Sequence, residues 1–555
     1  MRELIYKYAL KNAHDYGKAM PKAVLGKVLA ENSELKKDVK GLMGEIQEII
    51  QEVNGLSPSD IAEKLKQYEF VEKAERKEGL PDLSNPKDVV LRFAPNPSGP
   101  LHLGHCRAAV LNDEYAKRYD GKFILRFEDT DPARVDPSAY DMISEDLKWL
   151  EVEVHQVTYQ SDRLEVYYDH GRKLIELEAA YTCTCSSEDF RKRRDAKKAC
   201  DCRTNSIEEN LRRYDSMFAK YAPGEAVVRL KTGVDLPDPA MRDFVIIRIS
   251  EVEHPRVKGN RVYPLYNFSV SVDDHLMGVS HVLRGKDHII NTKKQGFIYD
   301  YFGWQKPEFI HYGLLQIEDL ELSTSLMAKG ISESEYSGWE DVRLGTLQAL
   351  RLRGIQPEAV RRAILDVGIK ATDISFSWKN LYALNREIID PIANRYSFVA
   401  DPVELIIEDC PSMEVHAPLH PDHAERGSRN ITIEAKDGRS KLYVSIDDAK
   451  NLAEGTFVRL MEAFNVVIES KNHVITARHH SRPLEEARRR KARLIQWVPE
   501  DNFRVTVVSP NGDINGLGEK EIGKLKAGDL IQFERFGFVR IDSVGEEIKA
   551  YFTHK

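Results

Sequence analysis

The sequence predicts a multidomain protein, α/β in its middle and all-β at its end, behind a helical N-terminal region. Three observations carry this. Strand-like and helix-like stretches alternate between residues 87 and about 340, the pattern of a parallel sheet with crossover helices. From about 386 onward, segments such as Ile431–Ala435, Leu442–Ile446, Phe503–Val508 and Leu530–Ile541 alternate apolar and polar residues with period two, which reads as one or two β-barrels. Before residue 87, Leu25–Ala30 and Leu42–Val53 carry apolar residues at three- and four-residue spacing, the helical period.

The domain boundaries expected are 1–86 (helical), 87–340 (α/β, with an insertion around 180–230), 341–385 (helical connection) and 386–555 (β-rich). Gly55-Leu-Ser-Pro-Ser-Asp60 reads as a helix stop followed by an N-cap, and Pro81–Pro86 as a linker. In the α/β part, Val89–Phe93, Phe123–Phe127, Ala226–Leu230 and Val245–Ile249 are strand candidates. Asn112–Tyr119 and Ala139–Leu150 are helix candidates.

Composition excludes several classes. The chain has 555 residues, 42% hydrophobic and 31% charged, with a net charge of −8. No apolar run approaches the ~20 residues of a membrane span, and the start has no signal-peptide core, so a cytoplasmic protein with no membrane partner is expected. The negative charge rules out a uniformly basic nucleic-acid coat but leaves room for local basic surfaces. Six cysteines in a chain of this length are no disulfide scaffold.

The chemistry concentrates in Leu91-Arg-Phe-Ala-Pro-Asn-Pro-Ser-Gly-Pro-Leu-His-Leu-Gly-His105. A strand runs into a Pro/Gly loop that delivers His102 and His105 to one face of a helix start. Free N–H groups and partial positive charge at such a start suit a phosphate-bearing ligand. Phe127-Glu-Asp-Thr-Asp-Pro132 closes the next strand and places Glu128 at its end. Carboxylates suit a substrate ammonium, and forked guanidinium groups suit a substrate carboxylate.

This block is similar to the ATP- and amino-acid-binding start of class I aminoacyl-tRNA synthetases, in the glutamyl/glutaminyl branch. Val262–Asp287 resembles the second half of the same domain, and Tyr336–Leu347 resembles its archaeal and eukaryotic-type members. The resemblance implies a Rossmann-type catalytic domain and a C-terminal β-barrel anticodon-binding region. It implies activation of glutamate with ATP to glutamyl-adenylate, then transfer to the 3′ end of tRNA. Glutamate tRNA would be the acceptor and, under relaxed specificity, glutamine tRNA as well. ATP is implied as a substrate and Mg²⁺ as its companion; a monomer is expected. His102 and His105 would stabilise phosphate charge, with Pro97, Ser98, Gly99, Gly104, Ser323 and Ser325 completing the ATP site. Arg92, Ser98, Glu128, Tyr266 and Arg284 would hold glutamate. Arg284 meets the substrate side chain in this family and favours a carboxylate over an amide, because an unpaired guanidinium against a neutral amide is costly. The alternatives are a glutaminyl enzyme, which Arg284 disfavours, a small-molecule nucleotidylyltransferase, and a non-catalytic tRNA-binding paralogue.

The paralogue is suggested by one departure. The family's second nucleotide loop reads Lys-Met-Ser-Lys-Ser, whereas Glu321-Leu-Ser-Thr-Ser325 stands in its place. Glu321 and Thr324 replace the two lysines; Lys329, four residues beyond the loop, is the nearest downstream cation.

Two further arrays stand out. Cys183-Thr-Cys185 and Cys200-Asp-Cys202 provide four thiols in two close pairs, suited to a closed structural Zn²⁺ site. Arg191 to Arg194, Lys197 and Lys198 between them suggest contact with the tRNA acceptor end. Residues 478–493 carry seven cationic side chains against Glu485 and Glu486. Together with His479, His480 and Trp497 they suggest a surface for unstacked RNA bases.

Overall fold

A computed structural model describes residues 2–31, 39–68, 79–317, 320, 322–471 and 474–555. The chain divides into two compact units, Met1–Glu78 and Gly79–Lys555.

Among the described residues the first unit holds four helices: α1 (Arg2–Tyr16), α2 (Pro21–Glu31), α3 (Val39–Asn54) and α4 (Pro58–Leu65). Their apolar faces close one core, with Ile5, Leu10, Val24, Ile46, Ile49 and Val53 buried, as the helical spacing requires. Ser57 caps α4 by accepting from the Asp60 N–H, and Pro58 occupies the first turn, where its missing N–H costs nothing.

The second unit begins with a packed segment rather than a free linker. Leu80 and Leu83 are buried in its main core. The main layer comprises β1 (Val90–Phe93), α5 (Leu103–Arg118), β2 (Lys122–Phe127), α6 (Ala139–Trp149) and β3 (Gln156–Tyr159). β1, β2 and β3 pair in parallel. The predicted helix over 112–119 starts nine residues earlier, because the helix opened at the histidines continues without a break.

From there the chain leaves the parallel layer. α7 (Leu164–Glu176) leads into an antiparallel sheet of β4 (Ala180–Cys183), β5 (Val227–Leu230), β6 (Val245–Ile249) and β7 (Val262–Pro264), with α8 (Ser187–Asp195) and α9 (Ile207–Met217) between β4 and β5. The candidates at 226–230 and 245–249 are therefore strands, but not parallel ones. The segment between β5 and β6 holds only loop and a three-residue 3₁₀ turn, and a parallel return needs a crossover of a dozen or more residues, usually helical.

α10 (Tyr266–Leu276), β8 (His281–Gly285), α11 (Ile289–Phe302) and β9 (Glu308–Tyr312) return to the main layer. β8 and β9 pair in parallel. Ser280, at the head of β8, donates its N–H to Val90 O (3.0 Å) and accepts from the Val90 N–H through Oγ (2.9 Å). The chain thus passes from β1 outward to β3 and returns on the opposite side of β1 with β8. Such a switch in strand order opens a crevice at the strands' carboxyl ends.

The helices Leu347–Leu352, Pro357–Val367 and Trp378–Ile389 do not form a core of their own. Leu347, Leu350, Val360, Ile364 and Leu381 share the core of α5 and β1.

Among the described residues the β-rich end holds a two-stranded ladder of Met413–Pro418 with Ser428–Ile433 and two seven-stranded sheets. In one, the terminal strands are Asn394–Tyr396 and Phe398–Ala400; in the other, Arg493–Ile495 and Trp497–Pro499. Each pair is one strand broken at a single residue, Ser397 or Gln496. Its halves join opposite ends of the same sheet, which curls the sheet toward closure and covers its edges. The two break residues meet: Gln496 Nε2 donates to Ser397 Oγ at 2.7 Å. Around them, Arg429 pairs with Glu519 at 3.0 Å and with Glu534 at 2.5 Å. The Ser397 N–H donates to Glu519 at 2.9 Å.

Arg429 and Glu519 are almost wholly buried, so removing one partner leaves the other uncompensated. Arg429→Met should destabilise the β-rich region by about 3–5 kcal/mol, read by chemical denaturation followed through Trp497 and the region's tyrosines. A loss below about 1 kcal/mol would show the cluster to be solvated.

Candidate active site

The crevice is a cavity of about 750 Å³ between the carboxyl ends of β1, β2, β8 and β9 and the start of α5. Of the predicted site residues, Arg92, His102, Gly104, His105, Glu128, Tyr266 and Arg284 line it; Pro97, Ser98, Gly99, Ser323 and Ser325 do not.

The histidines form the wall at α5. His102 is the N-cap, in extended backbone, and its Nδ1 accepts from the Gly104 N–H at 3.1 Å. His105 Nδ1 accepts from the His102 N–H at 3.3 Å. The rings stack with centroids 3.7 Å apart. Gly104 is needed here, because a Cβ would lie 2.9 Å from His102 Cε1. Burial pushes the pKa of His102 down to about 2, with His105 beside it adding to the effect, and that of His105 down to about 4. Both imidazoles are neutral, with Nδ1 committed to accepting. The proton is therefore on Nε2, and the pair works as two N–H donors rather than two cations.

The opposite wall rests on a largely buried charge cluster. Arg126, fully buried on β2, donates to Asp274 at 2.7 Å and to Glu128 at 3.1 Å. Arg92 on β1 reaches the same Asp274 oxygen at 3.4 Å. Asp273 is held by Arg163 at 2.8 Å, Gln160 at 3.0 Å and Tyr167 at 2.6 Å. Burial works against the charge of Asp274, but Arg126 and Arg92 outweigh it and hold the carboxyl below its usual range. For Glu128 burial prevails over the same arginines and raises the pKa, so a cation brought to it would be well received. Tyr266 donates to or accepts from His288 Nδ1 at 3.2 Å, and burial, with Glu128 nearby, pushes its pKa up to about 12.

Arg284, on β8, is the exceptional member. It is 5% exposed and makes no ion pair among the described residues. One nitrogen, Nη2, donates to Thr292 Oγ1 at 2.5 Å and to Gln295 Oε1 at 2.8 Å, while Nε and Nη1 are buried without a partner. Orphaned buried donors are costly, and the residue that carries them lines the cavity.

The sequence reading missed Arg126, Asp274 and Arg107. Arg126 stands two residues before Glu128, which directly follows β2, and alternation puts the two on the same face, a signal that was available. Arg107 bonds only carbonyls, those of Gly313, Gly368 (3.1 and 2.7 Å) and Lys370 (3.2 Å). It ties α5 to the segment entering the second loop, and nothing in a linear pattern reveals such a partner set.

In that loop, Glu321 lies outside the described residues. Leu322 lines the cavity. Ser323 caps the helix Thr324–Ser332 and bonds Ser325 at 3.0 Å. Thr324 and Trp339 press on Gly99, whose absent Cβ would fall 2.8 Å from Thr324 Cγ2. Lys329 does not supply the missing cation: it is an exposed partner of Glu333 at 3.7 Å.

The four cysteines come together. The sulfur atoms of Cys183, Cys185, Cys200 and Cys202 all lie within 4.8 Å of one another. The pairs 183/200 and 185/202 are 3.9 and 3.8 Å apart, against the edge of about 3.8 Å that a tetrahedron with 2.3 Å metal–sulfur bonds requires. Arg191, Lys197 and Lys198 beside it are exposed. In the β-rich end, Arg482, Arg488, Arg489 and Lys491 are also exposed. Trp497 is not a stacking surface: it is 1% exposed, in the core, with its indole N–H on Met461 O at 2.8 Å. Its period-two position was an inward one.

Residues 88–391 match the family model for tRNA synthetases class I (E and Q), catalytic domain. Residues 393–481 and 494–542 match two models for the anticodon-binding domain of the same group. A glutamate–tRNA ligase of Methanocaldococcus jannaschii is 52% identical over 549 residues, covering 98% of each chain. One from Methanocorpusculum labreanum is 49% identical, covering 100% of this chain and 99% of its own. One from Methanothermobacter thermautotrophicus is 47% identical and covers 100% of both. No helix among the described residues is long and apolar enough to cross a membrane.

The neutral histidines give a direct test. A depressed folded-state pKa means that the unfolded chain takes up the protons first. Stability is therefore full above the ordinary pKa of 6.5 and is lost as pH falls from there toward about 4 and about 2. In histidine NMR spectra of the ligand-free protein, neither ring should titrate between about pH 8 and 5. A midpoint near 6.5 for either would refute the neutral pair.

Proposed function

The chain belongs to the class I (E and Q) tRNA synthetases, and on that footing we propose that it is a glutamate–tRNA ligase. It activates glutamate with ATP to glutamyl-adenylate and pyrophosphate, then transfers the glutamyl group to the 3′ end of tRNA. The single observation that carries the choice of amino acid is Arg284: a buried guanidinium that lines the cavity and keeps two unpartnered donors answers a carboxylate and not an amide. The anticodon-binding matches and the exposed basic side chains of 482–491 support tRNA as the partner.

The roles divide by position. Glu128 receives the glutamate ammonium, Tyr266 flanks it, and Arg92 and Arg284 address its two carboxylates. The Nε2–H groups of His102 and His105 donate to phosphate oxygens as charge shifts in the displacement at the α-phosphate. Neutral donors pre-aimed by backbone bonds need no reorganisation there. Mg²⁺, when bound with ATP, neutralises phosphate charge. Pro97 to Gly99, Ser323 and Ser325 lie outside the cavity wall, so their contribution to ATP binding runs through the fit of Thr324 and Trp339 against Gly99. Zinc in the four-thiolate site would be structural, fixing the basic loop between the cysteine pairs for the acceptor end of tRNA. The enzyme acts as a cytoplasmic monomer and charges glutamate tRNA and, with relaxed specificity, glutamine tRNA.

Charging assays with purified tRNA isoacceptors should yield glutamyl-tRNA and no glutaminyl-tRNA. Absence of glutamyl-tRNA at any enzyme concentration overturns the reading. Arg284→Ala should raise the KM for glutamate by roughly tenfold or more while leaving that for ATP unchanged. His105→Ala should lower kcat by roughly 10²–10³. Protein purified without chelator should contain about one zinc per chain, and Cys202→Ser should lose it; metal-free protein with native tRNA affinity would remove the structural role.

A further inference from the structure

Arg284 is held by a device of its own, and that device bears on how the site tells an acid from an amide. Thr292 and Gln295 stand three residues apart on one face of α11. Both bond the same nitrogen of Arg284, Nη2, at 2.5 and 2.8 Å. Both are neutral acceptors. Neither is free to turn away. Gln295 Nε2 donates to Asn267 Oδ1 at 3.3 Å, and Asn267 Nδ2 donates to Asn291 Oδ1 at 3.1 Å. This amide chain runs in one direction, so Gln295 must present its carbonyl oxygen to Arg284. Thr292 Oγ1 is also bonded to His311 Nε2 at 2.8 Å and donates to His288 O at 3.3 Å.

Anchoring through one nitrogen fixes the guanidinium plane and leaves Nε and Nη1 unpartnered. Anchoring by neutral groups fixes it without spending its charge. A carboxylate at position 295 would anchor it as firmly, since charge-assisted bonds are the stronger kind, but would neutralise the cation before substrate arrived. We propose that Gln295 and Thr292 are specificity-determining positioning residues. They hold Arg284 by one edge with uncharged acceptors, so that its whole charge is reserved for the side-chain carboxylate of the substrate. The proposal rests on the reading of this site as a glutamate site and goes beyond it in naming what keeps Arg284 available.

The test compares variants of the full-length enzyme in charging assays. Gln295→Glu supplies an internal carboxylate. It should raise the KM for glutamate by roughly tenfold or more, leave the KM values for ATP and tRNA unchanged, and reduce the preference for glutamate over glutamine by a similar factor. Thr292→Val removes one anchor at nearly constant volume and should raise the glutamate KM by roughly two- to fivefold, whereas Thr292→Ser should restore it. A glutamate KM within about twofold of the parent in Gln295→Glu overturns the proposal, as does a rise shared equally by ATP. If Gln295→Glu shows no cooperative melt, the threonine pair decides: equal glutamate KM values for the valine and serine variants overturn the proposal. A parent enzyme that charges no glutamate fails at the earlier reading and takes this proposal with it. A parent that charges glutamate while the variants show no such split fails here alone.

Discussion

The catalytic half of the molecule is organised around one carboxylate. Asp274 accepts from Arg126 on β2 and from Arg92 on β1, and it sits on α10, which enters from the antiparallel insertion. Two parallel strands and a helix from a separate sheet are thereby locked at the point where their ends must converge. In a dry interior each partner of such a cluster is costly to leave alone. The cluster therefore fixes geometry more than it adds stability. What it delivers is a wall on which Arg92, Glu128 and Tyr266 hold set positions before any ligand arrives.

That wall explains why Arg284 can stay unpaired. Burial lowers its pKa, yet a guanidinium cannot shed its proton under ordinary conditions. Its charge must be offset by its surroundings. Asp274 and Tyr266 favour the charged form, while Arg92 opposes it. The site thus holds a cation that the Asp274 carboxylate favours from a distance without an ion pair between them. On the proposed reading a substrate carboxylate completes the set and a neutral side chain does not, so selectivity follows from the missing partner.

How far the sequence could be read depends on the range of the interactions involved. The turn at His102–His105 and the placement of Glu128 at the end of β2 are local: a Pro/Gly loop, a helix start and a strand end lie within about forty residues. The four cysteines were legible because thiol spacing alone restricts what they can do. Strand direction was not legible at 226–249, because period two looks the same in parallel and antiparallel sheets. Trp497 was misread for a related reason: an aromatic beside a basic run says nothing about which face of the strand it occupies. Arg126, Asp274 and Arg107 gain their meaning from partners up to 263 residues away, and no local pattern encodes those.

The altered second loop ties these points together. Where the family pattern has two lysines, this chain has Thr324 against Gly99, and the downstream Lys329 is engaged with Glu333 in solvent. The loop therefore contributes packing where charge was expected. The histidines contribute aimed dipoles and no charge in the free site. Among the described residues the cations left at the cavity are Arg92, Arg107, Arg134, Arg248 and Arg284, and Arg92 and Arg284 are the two proposed to meet the amino acid. On the proposed reading, phosphate stabilisation passes from flexible lysines, which must be ordered at an entropic cost, to rigid N–H donors set by the capping bonds of α5. A site that worked in this way would give up long-range attraction for the triphosphate and gain precision at the atom where the displacement occurs.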